Sequence, residues 1–314
     1  RSESRTLQQG CAASATRHAA TSVAAAKATS DGTFTRSRVK EPRQDMLSAQ
    51  SRQVAEVELN EPPQDAQAPI LAQFRARVAA AVGSDLATRL EWATLATLRQ
   101  SKWDPDKAFE RMTKLAQFAS TNASYFDGQS PAEFKGQACV GMISHLPTRT
   151  AKGELVLLID GQKLREYARR YTMTDMLRYS VFYMAQLLQD EETQVHGAVI
   201  LESLENYPVF ALNTMKGMGA SGMKASFDWL GAAPLRLRGL HACKQPWYVG
   251  LMLGLVKPFM SKKLRERTHL YGGDTARMLV EAGLSPEAVP PEYGGTLEDF
   301  DPAWWLSDST PLLW

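Results

Sequence analysis

With 314 residues, 44% of them hydrophobic and 22% charged, the chain has the composition of an ordinary soluble protein. It is long enough for one large domain or two smaller ones around a sizeable core. A formal net charge of +2 excludes a globally basic nucleic-acid binder, so no nucleic-acid partner is expected and the placement of charge matters more than its total.

Residues 1–66 are rich in Ala, Ser, Thr, Arg and Gln, carry almost no large apolar side chains, and contain the breakers Pro62-Pro63. They are expected to form a disordered tail. The first forty residues hold seven Lys/Arg against two acids, a balance that a transit peptide shares with a plain basic tail, so organelle targeting stays open.

Order is expected from Pro69. "PILAQFRARVAAAV" has Pro at a helix-start position and spaces Ile70, Phe74, Val78 and Val82 four apart, one stripe of a helix. A second periodic run covers residues 86–99. A third opens at "WDPDKAFERM", where Asp104 can cap, Pro105 suits the first turn, and Phe109, Met112, Ala116 and Ala119 share a face.

Past residue 139 the pattern changes. "ELVLLID" (residues 154–160) and "GAVILES" (197–203) are short apolar runs bounded by charge or glycine, the signature of buried strands. Between them Met173, Met176, Leu177, Val181, Met184 and Leu188 recur at helical spacing, giving a βαβ unit and an α/β domain. "LRLRGLHA" (235–242) reads as another strand, with Leu235 and Leu237 on one face, Arg236 and Arg238 on the other, and Gly239 at a bulge or close approach.

Gly217, Gly219 and Gly222 fit G-x-G-x-x-G, but no buried strand precedes them and no acid lies about 20 residues on, so the run reads as a flexible linker between helices. There is no nucleophile elbow and no phosphate loop. Glu191, Glu192, Glu202 and Glu205 could pair for glycoside chemistry, but element-end solvation accounts for them. No catalytic residue is expected. Cys11, Cys139 and Cys243 are far apart and read as reduced interior thiols, and His18, His145, His196, His241 and His269 lack paired helical spacing, so no metal site is expected.

The segment 236–267 carries eight Lys/Arg against the single acid Glu266 and frames the most apolar stretch of the chain, "PWYVGLMLGLVKPFM". At ten residues, the run 247–256 is half of what a membrane-spanning helix needs. By pattern alone, two readings stand. One is a core helix followed by a solvated charged one; the other is an apolar helix with a basic rim for docking to anionic membrane.

The run "LRLRGLHACKQPWYVGLMLGLVKPFMSKKLRERTHLYGGD", with "VPPEYGG" (289–295) after it and "ETQVHGAVILESLEN" (192–206) before it, resembles the CRAL-TRIO lipid-binding domain. "LATLRQSKWDPDKAFERM" is similar to the small helical domain that precedes that fold. The resemblance is strongest to the tocopherol- and retinaldehyde-carrier branch. It implies an α/β CRAL-TRIO fold, with a mixed β-sheet flanked by helices around an apolar lipid cavity. The implied organisation is a tail (1–66), a helical domain (67–127), the lipid-binding domain (128–300) and a C-terminal tail (301–314).

The family's phosphoinositide-binding patch falls on Arg236, Arg238, Lys263 and Arg267, and Lys257 matches a headgroup lysine of its phosphatidylinositol-binding branch. Cavity positions fall on Ser180, Met184, Glu202, Leu235, Leu237 and Leu240, and the gate helix carries Trp247, Tyr248, Leu251, Met252 and Leu255. Glu202 stands where the tocopherol branch has an aromatic residue, and a buried carboxylate without a partner costs several kcal/mol or takes up a proton. The resemblance implies a cytoplasmic, peripheral-membrane monomer that holds one hydrophobic lipid, needs no other cofactor, and meets anionic, phosphoinositide-containing membranes. It transfers that lipid, or in the alternative reading senses it as a regulatory module without net transfer.

Overall fold

A computed structural model describes residues 47–127, 130–207 and 219–306; at 219–223, 252, 255, 256 and 259 only the backbone is described. The disorder expected over 1–66 does not extend to its last part, because residues 49–59 form helix α1 (Ala49–Leu59). Ser48 caps it by accepting from the Ser51 amide, and Ser51, Ala55 and Leu59 make its buried face. Small and polar side chains supply most of that face, which is why composition hid it.

Helix α2 (Gln64–Val82) starts directly after Pro62-Pro63, so Pro69 lies inside the helix and not at its start. The expected stripe holds for three of its four residues: Phe74 and Val78 are buried and Val82 packs beside them, while Leu71 takes the place expected for Ile70. The run 86–99 is broken into α3 (Ser84–Arg89), a 3-10 turn and α4 (Thr94–Gln100). Helix α5 (Pro105–Thr121) is capped by Asp104, which accepts from the amides of Asp106 and Lys107. Such a cap satisfies two amides that the helix start leaves open.

Helix α6 (Pro131–Val140) leads into a five-stranded sheet of order β1-β2-β3-β4-β5. Its strands are β1 (Ile143–Arg149), β2 (Leu155–Asp160), β3 (Ala198–Ser203), β4 (Leu237–Cys243) and β5 (Thr268–Leu270). β1 runs antiparallel to β2 and the remaining pairs are parallel. β2 and β3 are covered on both faces, which is why they read as unbroken apolar runs. The crossover between them holds α7 (Leu164–Arg170), α8 (Met173–Leu187) and α9 (Glu191–His196). A reciprocal capping box of Thr172 and Asp175 starts α8.

On one face of the sheet Leu155, Leu157, Ala198 and Ile200 pack under Phe134 of α6 and Tyr179, Phe182 and Tyr183 of α8. On the other, Val156, Leu158, Val199 and Leu201 pack against Met278, Leu279 and Ala282 of helix α13 (Thr275–Ala282) and against Val289 and Tyr293. A third cluster joins the helical region to this body, with Phe74, Met112 and Phe118 against Leu177 and Val181 of α8 and Trp229. Trp229 belongs to α10 (Gly219–Ala232). From Gly219 onward the glycine run is therefore the first turn of a helix and not a linker, while Gly217 lies outside the described residues. Cys243 is a free, buried thiol. Cys139 is disulfide-bonded, which corrects the expectation that it is a reduced thiol.

Candidate functional site

The strand that carries the site is shaped by a bulge. Ala198 pairs with Leu237 and Val199 with Gly239, so one residue, Arg238, is extra on β4. The bulge resets the pleat: Leu237 and Leu240, three apart in sequence, both pack on the α6/α8 side of the sheet with Leu235 and Ile159. Gly197 makes the geometry possible. It has φ +81, and a Cβ there would run into the carbonyl of Arg236, the group that accepts from the Ala198 amide at 3.0 Å.

That close approach seats both arginines against the end of α9. Arg236 donates to the Val195 carbonyl and Arg238 Nε to the His196 carbonyl at 2.8 Å, satisfying acceptors that the helix leaves open. Arg267, which follows helix α12 (Lys262–Glu266), donates to the Leu237 carbonyl. Lys263 on α12 completes the cluster. Its ammonium is held below its usual range by partial desolvation and by the charges of Arg267, Arg111, Arg236 and Arg238. Burial, followed by Arg238 and Arg267, pushes Arg236 down to about 10.

Four of the five expected headgroup residues thus converge. Lys257 is exposed on the 3-10 turn Lys257–Phe259, and among the described residues nothing couples it to the other four. Two participants were not anticipated. Arg111, on α5 and hydrogen-bonded to Gln100, adds its charge to those that lower the Lys263 ammonium. Glu58, on α1, is the one carboxylate among the described residues within ion-pair distance of the two arginines, 3.2 Å from Arg238 and 3.8 Å from Arg236. Neither left a local signal, since their sequence neighbours lie on unrelated helices.

Beside the arginine strand runs α11 (Val249–Val256). It is apolar throughout, but its environment is two-sided. Tyr248, Val249 and Leu253 pack on Leu204, Leu240 and Ala242, and the Tyr248 hydroxyl donates to the Tyr207 carbonyl. Trp247 is 86% exposed and Leu251 64% exposed on the opposite side. The side chains of Met252 and Leu255 lie outside the described residues.

Of the expected cavity residues, Leu235, Leu237 and Leu240 share one partly buried wall. Glu202, between Ile159 and Ala242 in the sheet, points to the same face as Ile200 by strand alternation. Burial raises its carboxyl to about 7, and it has no hydrogen-bond partner among the described residues. Met184 packs with Leu177, Val181 and Trp229 in the cluster that faces the helical region. The Ser180 hydroxyl is turned back to the Leu177 carbonyl at 2.8 Å. No group of His, Cys, Asp and Glu among the described residues could hold a metal ion, and no helix among them is long and apolar enough to cross a membrane.

Residues 141–295 match the CRAL/TRIO domain. Clavesin-1 of Rattus norvegicus is 27% identical over 211 residues, covering 66% of this chain and 58% of its own. Alpha-tocopherol transfer protein-like of Homo sapiens is 28% identical over 223 residues, covering 70% of this chain and 63% of its own. The matched stretch is therefore less than two thirds of either relative. The crystal structure of Sfh5 superposes with a TM-score of 0.49 at 13% identity, covering 85% of this chain and 94% of that one. With a mixed five-stranded sheet flanked by helices and the matched span running from the start of β1 through the "PPEYGG" turn, residues 141–295 of the chain are a CRAL/TRIO domain.

Proposed function

We propose that the chain binds a single hydrophobic lipid between the wall of Leu235, Leu237 and Leu240 and the inner side of α11, and hands it over at an anionic, phosphoinositide-containing membrane. The observation that carries this reading is the convergence of Arg236, Arg238, Lys263 and Arg267 into one cluster, in which Arg236 and Arg238 are seated on the end of α9 and Arg267 on the Leu237 carbonyl. Like charges are held together at a cost, and a phosphorylated headgroup repays it with charge-assisted hydrogen bonds. The exposed Trp247 and Leu251 give α11 an outer side suited to the membrane interface. Swinging it outward would exchange one apolar environment for another.

In this account the lipid is phosphatidylinositol, a tocopherol-like molecule or a retinoid, and Glu202 favours one with a hydroxyl near the sheet. The protein works without covalent chemistry, in the cytoplasm and at membrane surfaces, as a monomer. Lipid sensing without net transfer is the second reading. A docked α1, which ties the N-terminal side of the chain to the headgroup cluster through Glu58, favours it.

The test is charge reversal at Lys263, the exposed member of the cluster. Each basic group near an anionic surface contributes about 1 kcal/mol, so Lys263→Glu is expected to weaken binding to phosphatidylcholine vesicles doped with phosphatidylinositol bisphosphate by about 30-fold. The lipid co-purifying with the protein is expected to stay unchanged. Unaltered vesicle binding removes the cluster from the mechanism. Movement of a labelled lipid between vesicle populations separates transfer from sensing.

A further inference from the structure

We infer that Glu58 is a built-in counter-ion for the basic cluster, a tethered competitor that a membrane headgroup must displace. The inference rests on the headgroup reading above and adds its regulation. Three observations lead to it.

The first is how firmly the backbone of Glu58 is held. Leu59 beside it is fully buried against Val195. Ser51, on the same helix, bonds to the Glu192 carboxylate and lies 2.8 Å from His196 Nε2. Glu61, three residues on, is clamped by Arg99 through two hydrogen bonds of 2.7 Å.

The second is how loosely its side chain is held. The carboxylate is 51% exposed and uses one oxygen for both arginines, at 3.2 and 3.8 Å. Such a contact is worth little and is screened by salt. A rotamer change releases it while α1 stays docked. The third is its position, facing the Nη2 groups of two guanidiniums that each already give one donor to a carbonyl, Arg236 to Val195 and Arg238 to His196. A phosphate that bridges the two arginines competes with Glu58 for those Nη2 groups.

Glu58 therefore lowers the affinity of the resting protein for weakly charged surfaces and sets how much anionic charge a surface must present. A headgroup with several charges outcompetes one carboxylate; a sparse monoanionic surface does not. Any contact that lifts α1 would open the cluster fully.

The experiment uses the full chain and two isosteric variants, Glu58→Gln and Glu56→Gln. Glu56 is also exposed on α1 and has no ion pair among the described residues, so the two variants change net charge equally. Binding is measured to phosphatidylcholine vesicles carrying phosphatidylserine, and to vesicles carrying phosphatidylinositol bisphosphate at matched charge. Glu58→Gln is expected to tighten binding to phosphatidylserine vesicles roughly three- to tenfold, with a smaller gain on the bisphosphate vesicles and an unchanged melting temperature. Glu56→Gln is expected to do neither. Equal effects of the two variants, or no effect of Glu58→Gln, overturn the inference. If Lys263→Glu in parallel still weakens vesicle binding, only the counter-ion role falls; if it too has no effect, the headgroup reading falls with it.

Discussion

Replacing Glu61 by alanine probes the part of the fold that composition concealed. Arg99 is 2% exposed and Glu61 5% exposed, and their fork of two 2.7 Å hydrogen bonds is joined by Gln194 and Glu191 at 2.8 Å. Burial alone would lower the Arg99 pKa, yet hydrogen bonding and charge from Glu61 and then Glu191 raise it above its ordinary value. Breaking a buried pair by deleting one partner costs about 3–5 kcal/mol, because the remaining charge is left without compensation. Glu191 keeps part of the compensation, so the expected loss for Glu61→Ala is near the lower figure, about 3 kcal/mol. With a urea m-value of about 2–3 kcal/mol/M, the midpoint should fall by roughly 1–1.5 M, followed by tryptophan fluorescence. Hydrogen exchange over residues 49–59 shows whether α1 comes loose first. The double variant Glu61→Leu with Arg99→Met removes both charges and should cost less than Glu61→Ala alone. A loss below about 1 kcal/mol for Glu61→Ala would refute the reasoning, since that is the worth of an exposed pair.

Other consequences follow from single residues. The Glu202 carboxyl, raised by burial from 4.5 to about 7, holds its proton better in the folded chain than in the unfolded one. Stability should therefore fall as pH rises from 4.5 toward 7 and level off above that interval. Glu202→Gln should flatten this part of the curve and gain at most about 3 kcal/mol at pH 8, by urea titration; a variant with the wild-type pH profile contradicts the assignment. Gly197→Ala, at φ +81 against the Arg236 carbonyl, should cost at least about 2 kcal/mol and depress vesicle binding as β4 is pushed from β3. Stability equal to the parent would mean that this approach is not tight. Trp247→Ala, just before α11, with Leu251→Ala on its exposed side, should leave the melting temperature nearly unchanged and weaken vesicle binding by about tenfold or more; unimpaired binding would free α11 from the interface role.

Strands β2 and β3 announced themselves because both faces are covered, and α5 because Asp104, Pro105 and the buried Met112 and Ala116 follow local rules. The arginine strand was legible from its alternation, and Gly239 did mark a bulge. Three things were not legible. β1 hides behind Pro147, which is tolerated there because β1 is an edge strand. α1 is held by pairings 38 and 141 residues distant, Glu61 with Arg99 and Ser51 with Glu192, so its own sequence looks like tail. Within the site, the matched residues Arg236, Arg238, Lys263 and Arg267 could be named one by one, but Arg111 and Glu58 arrive only through packing. Lys257 shows the converse, a residue that fits a motif and stands apart from the cluster. Asn206, three residues past β3, takes φ +52, a left-handed conformation that Asn tolerates better than most residues.

The central claim is that this chain carries one lipid molecule. Native mass spectrometry of the purified protein, with organic extraction and identification of what is released, tests it most directly. The account predicts one apolar molecule per chain, lost when α11 is drawn into a membrane. A chain whose native mass equals its sequence mass, and which takes up neither phosphatidylinositol nor tocopherol nor a retinoid from vesicles, would contradict it.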